Sequence, residues 1–126
     1  MTSRAHFLNV AAKVMRHLLI DYARQRRAQK RGGDHLIGSL DDIHASLEKE
    51  LVLTEDRAET LLALDEALKK LELIDARESH VVECRFFSGM SIQETAEALG
   101  VSPMTVKRDW KMALAWLRRE MSDPSA

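Results

Sequence analysis

Cysteine is all but missing from this chain. Cys84 stands alone, which excludes an intramolecular disulfide framework and suits a reducing cytoplasm. Two prolines and five glycines in 126 residues leave little to interrupt long helices, and nothing suggests strands. No apolar run approaches the length of a bilayer span, and no signal peptide precedes the first predicted helix. An intracellular protein without a membrane span is therefore expected. No phosphate-cradling glycine loop is present. Asp41 and Asp42 could suggest carboxylate catalysis, but no His, Ser or Lys constellation accompanies them. The chain reads as a non-enzyme with no cofactor. His80 and Cys84 stand four apart, as two metal ligands on one helix could, yet the second pair that a zinc site needs is missing. Both are expected in structural roles, with Cys84 as a small buried hydrophobe and no metal site.

Charge of either sign is plentiful, but it is segregated. The formal net charge is −1. Residues 1–33 carry eight basic side chains against Asp21 alone. Residues 34–66 hold ten acidic side chains against Lys49 and Arg57, and from Val101 onward five basic face three acidic. A near-neutral total therefore does not argue against nucleic-acid binding, because what matters is where charge clusters in space.

Apolar spacing divides the chain. A first helix is expected from about Arg4 to Lys30, with Phe7, Ala11, Val14, Leu18 and Tyr22 along one face and Leu8, Met15 and Leu19 widening it. A stripe this broad needs partners to cover it. Gly32-Gly33-Asp34 breaks that helix. An acidic connector follows, with short apolar patches at Leu36-Ile37 and Leu51-Val52-Leu53, and Ser39 or Asp41 could cap a brief helix in it. Leu61, Leu64, Leu68 and Leu71 then mark a helix over Ala58 to Leu73, and another is predicted from about Ala76 to Phe87, ending at Gly89. Residues 58–122 form the expected C-terminal unit of four helices. Residues 1–33 form an N-terminal helix, residues 34–57 the acidic linker and residues 123–126 a tail. The fold class is all-α.

The last two helices of that unit carry the most informative pattern. Between Ile92 and Lys111, Ala96, Gly100 and Val106 fall at the fifth, ninth and fifteenth positions of a helix-turn-helix. Ala96 must be small where the second helix crosses. Gly100 can adopt the positive φ of a tight turn, and Val106 is the apolar contact that sets the crossing. Ser91-Ile92-Gln93-Glu94 reads as a capping box, and Ser102 offers an N-cap hydroxyl ahead of Pro103. Such a unit most often places its second helix in a DNA major groove. On that helix Val106, Trp110, Ala113, Leu114 and Leu117 share one stripe and should be core. Met104, Arg108, Lys111, Met112 and Ala115 lie roughly opposite, flanked by Thr105, Lys107 and Arg118. Arg can grip the paired acceptors of guanine, while Lys and Thr can hold phosphates or base edges. The bland alternative is a solvated face that happens to be basic. Asp109 lies off the reading face, where it could pair with Arg108 or Lys107 or repel phosphate. Trp116 sits at the edge of the core stripe.

Three blocks in order resemble the C-terminal promoter-binding domain of bacterial sigma factors of the sigma-70 family. They are Leu64-Asp65-Glu66-Ala67-Leu68, Glu83-Cys84-Arg85-Phe86-Phe87-Ser88-Gly89-Met90-Ser91, and Glu94-Thr95-Ala96-Glu97-Ala98-Leu99-Gly100-Val101-Ser102. The fit is best to the extracytoplasmic-function (ECF) group. The run Thr105-Val106-Lys107-Arg108-Asp109-Trp110, with Ala113, Trp116 and Leu117, is similar to an ECF-like subgroup. Arg4-Ala5-His6-Phe7 through Asp21-Tyr22-Ala23-Arg24 to Lys30-Arg31-Gly32-Gly33 resembles the last helix of the sigma N-terminal domain. The chain also departs from the family. The earlier helices of that domain, which carry the main clamp on polymerase β′ and the pocket for a flipped −10 base, have no counterpart here. A misplaced start, a trimmed chain and a natural short form would each give this departure. Melting of the −10 element is not implied, whereas −35 binding is.

The resemblance implies a transcription initiation factor that binds core RNA polymerase and promoter DNA. Lys107, Arg108, Lys111 and Met112 would face the −35 element, Thr105 a phosphate, and Ser102 and Arg118 complete the expected DNA-binding set. The β flap would meet apolar surface between Leu61 and Phe87, and the acidic connector would thread toward the RNA exit channel. Arg24, Arg26, Arg27, Lys30 and Arg31 would lie along DNA near the −10 region, each phosphate contact steepening the salt dependence. A solvated helix end whose cations favour the C-terminal dipole is the alternative for that run. An anti-sigma factor is a further partner the resemblance implies, while oligomeric state is left open. Two rivals stand beside this reading: a helix-turn-helix repressor or activator acting without polymerase, and a truncated sigma that regulates by competition.

Overall fold

The computed structural model describes residues 3–32 and 55–122, the side chains of 29–32 and 55 excepted. The acidic connector as far as residue 54, with its caps and apolar patches, and the tail lie outside the described residues, while the last three residues expected in the connector, 55–57, belong to the next helix. Within them the chain forms five helices and no strand. We number them α1 (Ser3–Gly32), α2 (Glu55–Ile74), α3 (Ala76–Val82), α4 (Ile92–Leu99) and α5 (Pro103–Ser122). A π-helical turn, Glu83–Phe87, extends α3.

The four predicted C-terminal helices are all present, and their cores follow the expected spacing. Leu64, Leu68 and Leu71 on α2 are buried, as are Val106, Ala113 and Leu117 on α5. Asp75 caps α3 by accepting the Glu78 N–H at 3.1 Å. The buried Ser79 hydroxyl donates to the Leu68 carbonyl at 3.1 Å, fixing α3 across α2. The helix expected to run to Phe87 widens after Val82 instead. The Cys84 carbonyl accepts from the Ser88 hydroxyl at 2.8 Å and from the Met90 N–H at 3.1 Å. Both bonds satisfy an acceptor that the end of a helix would otherwise strand. Gly89 then turns the chain at φ 63°.

α1 packs antiparallel to α2, with Arg16 beside Asp65 and Arg27 3.9 Å from Glu59. Of the stripe that periodicity singled out it buries only the edge, at Leu8, with Leu19 packed on the core. Phe7, Val14 and Leu18 are 67%, 48% and 59% exposed, whereas Ala5, Leu8, Ala12, Ile20 and Ala23 are buried. Leu8 and Ala12 pack with Cys84, Met90 and Ala98, while Ile20 and Ala23 join the α2 and α5 core. The helix is apolar on two opposite sides, and two influences settle which one turns inward. Alanines at 5, 12 and 23 allow close approach of the backbones. Arg16, on the same side, meets two buried carboxylates: Nε donates to Asp65 Oδ1 at 2.8 Å and Nη1 to Glu83 Oε2 at 3.1 Å. A buried charge is tolerated only when paired and hydrogen-bonded, so this bridge fixes the rotation of α1. At the N-terminal end Arg4 Nε donates to Glu97 Oε1 at 2.9 Å, bringing α1 against α4.

Candidate nucleic-acid interface

The turn between α4 and α5 is built as its residues predict. The Ser91 hydroxyl accepts the Glu94 N–H at 3.0 Å, and the Glu94 carboxylate accepts the Ser91 N–H at 2.9 Å. Hydrogen bonding to the carboxylate by the Ser91 backbone N–H, and then by the Ser91 side chain, holds the Glu94 carboxyl below its ordinary value. Gly100 takes up φ 68°, ψ 36°, and the Val101 N–H returns to the Ala96 carbonyl at 3.1 Å. That left-handed C-cap is the conformation for which glycine is suited. Ser102 accepts the Thr105 N–H at 3.1 Å, starting α5 with Pro103 in the first turn. Ala96 and Val106 are buried together against Val81, which sets the crossing of the two helices.

Three further contacts hold α5 from behind. The Arg85 guanidinium lies 5.0 Å above the Trp110 ring. Lys70 Nζ reaches Glu120 Oε2 at 2.8 Å. The third contact answers the open question about Asp109. It is 3% exposed and pairs with neither Arg108 nor Lys107. Arg77 of α3 donates to both of its oxygens, from Nε to Oδ2 and from Nη2 to Oδ1 at 3.3 Å. This hydrogen bond raises the pKa of Arg77 further above its ordinary value. Arg77 escaped the sequence reading because it stands 32 residues from its partner.

On the outer side of α5, Lys107, Arg108, Lys111 and Arg118 are exposed, and among the described residues none of their side chains forms an ion pair. Met104 and Met112 share that side, 78% and 57% exposed. Ser102 is exposed at the start of the helix. Thr105 is half-buried and accepts from the Ser102 hydroxyl at 3.1 Å, leaving its own proton to donate. Of the residues expected to face DNA, Ser102, Lys107, Arg108, Lys111, Met112 and Arg118 are thus exposed and Thr105 half-buried.

The basic residues of α1 are placed differently. Arg24 lies 3.3 Å from Asp21 and 4.0 Å from Asp65, and Arg27 faces Glu59. Arg26 is half-buried, and the side chains of Lys30 and Arg31 lie outside the described residues. His80 is 3.7 Å from Glu72, and Cys84 is buried, its thiol pushed up to about 11 chiefly by loss of solvent. No group of three or more possible metal ligands occurs among the described residues, and no described helix is long and apolar enough to cross a membrane.

No curated protein and no solved structure matches the chain. The model of the ECF sigma factor family does, over residues 1–123. Members of that family act in transcription initiation and its regulation and are not enzymes. With a match of that extent over an all-helical fold that closes on a capped helix-turn-helix, the chain belongs to the ECF sigma factor family.

Proposed function

We propose that the chain recognises a promoter −35 element through α5 while bound to core RNA polymerase. The observation that carries this reading is the division of α5 into two sides. The inner side is committed to the core through Val106, Ala113 and Leu117, with Asp109 neutralised by Arg77. The outer side presents four cations free of ion pairs among the described residues. A helix so held can enter a groove without rearranging its support.

The chemistry follows from position. Arg108, at the middle of the outer side, suits a bidentate grip on guanine. Lys107, Lys111 and Arg118 suit phosphates, and Thr105 can donate its free proton to another. Met112 completes the reading side. The apolar surface offered to the β flap includes Leu73, Ile74 and Phe86, all exposed. Contacts by Arg24 and Arg27 to DNA near the −10 region would first have to release their carboxylate partners.

The test is transcription. Purified chain is added to core polymerase and a promoter library, and the transcripts are sequenced. The expected result is start sites sharing one asymmetric upstream element. Binding to a palindromic site without polymerase would instead identify a repressor or activator. Polymerase binding without transcripts would identify a competitive regulator.

A further inference from the structure

Two large apolar side chains stand on the outer side of α5. Met104 is the second residue of the helix, one turn before Arg108, and Met112 lies one turn beyond it. The fold makes no use of Met104. It is 78% exposed and belongs to none of the three core clusters, and Val106 does the packing at this end of the helix. Its neighbours on that surface are Lys107, Arg108 and Lys111, all cationic.

A surface of that kind approaching a major groove offers an apolar side chain few partners. Base edges there are hydrogen-bond donors and acceptors, and the C5-methyl of thymine is the one apolar group among them. Reading helices of this type contact base edges with their N-terminal residues, which places Met104 at the leading end. Its thioether bends through three torsions, so it can follow a methyl group without requiring a hydrogen bond.

We infer that Met104 is a specificity-determining residue that packs against the C5-methyl of one thymine in the bound site. The inference rests on α5 being the reading helix, as proposed above. One helical turn is about 5.4 Å, against about 3.4 Å between successive bases of a strand. The thymine therefore lies one or two base pairs from the guanine held by Arg108.

The experiment removes the methyl and nothing else. The full chain, alone or with core polymerase, selects sites from a random duplex pool. The selected site is then resynthesised with each thymine replaced in turn by deoxyuridine, and affinities are measured by fluorescence anisotropy. One replacement is expected to weaken binding by about fourfold, the burial of a single carbon. Met104→Ala should bind the parent site more weakly and ignore that replacement. Met104→Leu should respond to it as the parent chain does, and so should Met112→Ala. A site indifferent to every replacement would overturn the inference, as would a response that survives in Met104→Ala. Failure to select any duplex would overturn the reading of α5 itself, and this inference with it.

Discussion

Replacing Arg16 by methionine tests the electrostatic account of how α1 is seated. The guanidinium is 13% exposed and bridges carboxylates that are 7% and 8% exposed, belonging to Asp65 and Glu83. Removing one partner of a buried ion pair typically costs about 3–5 kcal/mol, because the charge left behind has lost both water and partner. Two such charges would remain here, but not wholly alone. Lys13 lies 3.4 Å from Glu83, and Lys69 and Arg24 lie 3.5 Å and 4.0 Å from Asp65, all about half exposed. Exposed pairs contribute about 0.2–1 kcal/mol each, so they offset only part of the loss. The expected cost of Arg16→Met is about 3 kcal/mol, a large share of the stability of a domain this size. Urea unfolding of the full chain followed by circular dichroism measures it. Arg16→Lys should recover less than half, since an ammonium cannot present the planar fork that reaches both acids. Replacing all three residues by apolar ones of similar volume should return stability to within about 1 kcal/mol of the parent. A cost below about 1 kcal/mol for Arg16→Met, or full recovery by lysine, would refute the argument.

Arg108→Ala should lose about 1–3 kcal/mol of discrimination at one base pair, whereas Lys107→Ala should weaken all sequences alike and lower the salt slope by about one. Anisotropy titrations at several salt concentrations separate the two, and uniform loss in both would move the base-reading contact elsewhere. Gly100→Ala should cost about 1 kcal/mol, read by thermal unfolding. An added Cβ would meet nothing within 4 Å, so backbone conformation at φ 68° is the whole cause. The Cys84 thiol, at about 11 in the fold against 9.0 for the free group, ionises more readily when unfolded. Its contribution to stability is therefore complete below pH 9 and lost as pH rises through 11. Alkylation of native protein at pH 8 should be slow and should track unfolding, and fast labelling would contradict its burial.

The helix-turn-helix was legible because its signals are local. Ser91 and Glu94, Ala96 and Val101, and Ser102 and Thr105 all close within five residues, a distance at which residue type decides geometry. α2 followed from leucine spacing for the same reason. The seating of α1 was not legible. Phe7, Val14 and Leu18 form as good a stripe as Ala12, Ile20 and Ala23, and periodicity cannot rank two apolar sides of one helix. The choice lies with Arg16, whose partners are 49 and 67 residues away. The role of Asp109 was hidden likewise, because nothing near it in sequence announces Arg77. Of the candidate interface, the outer positions of α5 could be read in advance. Asp21 is local to Arg24, but Asp65 beside Arg24 and Glu59 beside Arg27 come from another helix and could not.

The Arg77–Asp109 pair has an evolutionary corollary. Because the anchoring acid answers to a different helix, altering residues 104, 107, 108, 111 or 112 disturbs no anchor. On the proposed reading of α5, retargeting to a new promoter can then proceed by exchanging those side chains one at a time, each variant keeping its anchor while its sequence preference drifts. A scaffold wired in this way would let duplicated copies diverge in the genes they switch on without first being rescued from instability.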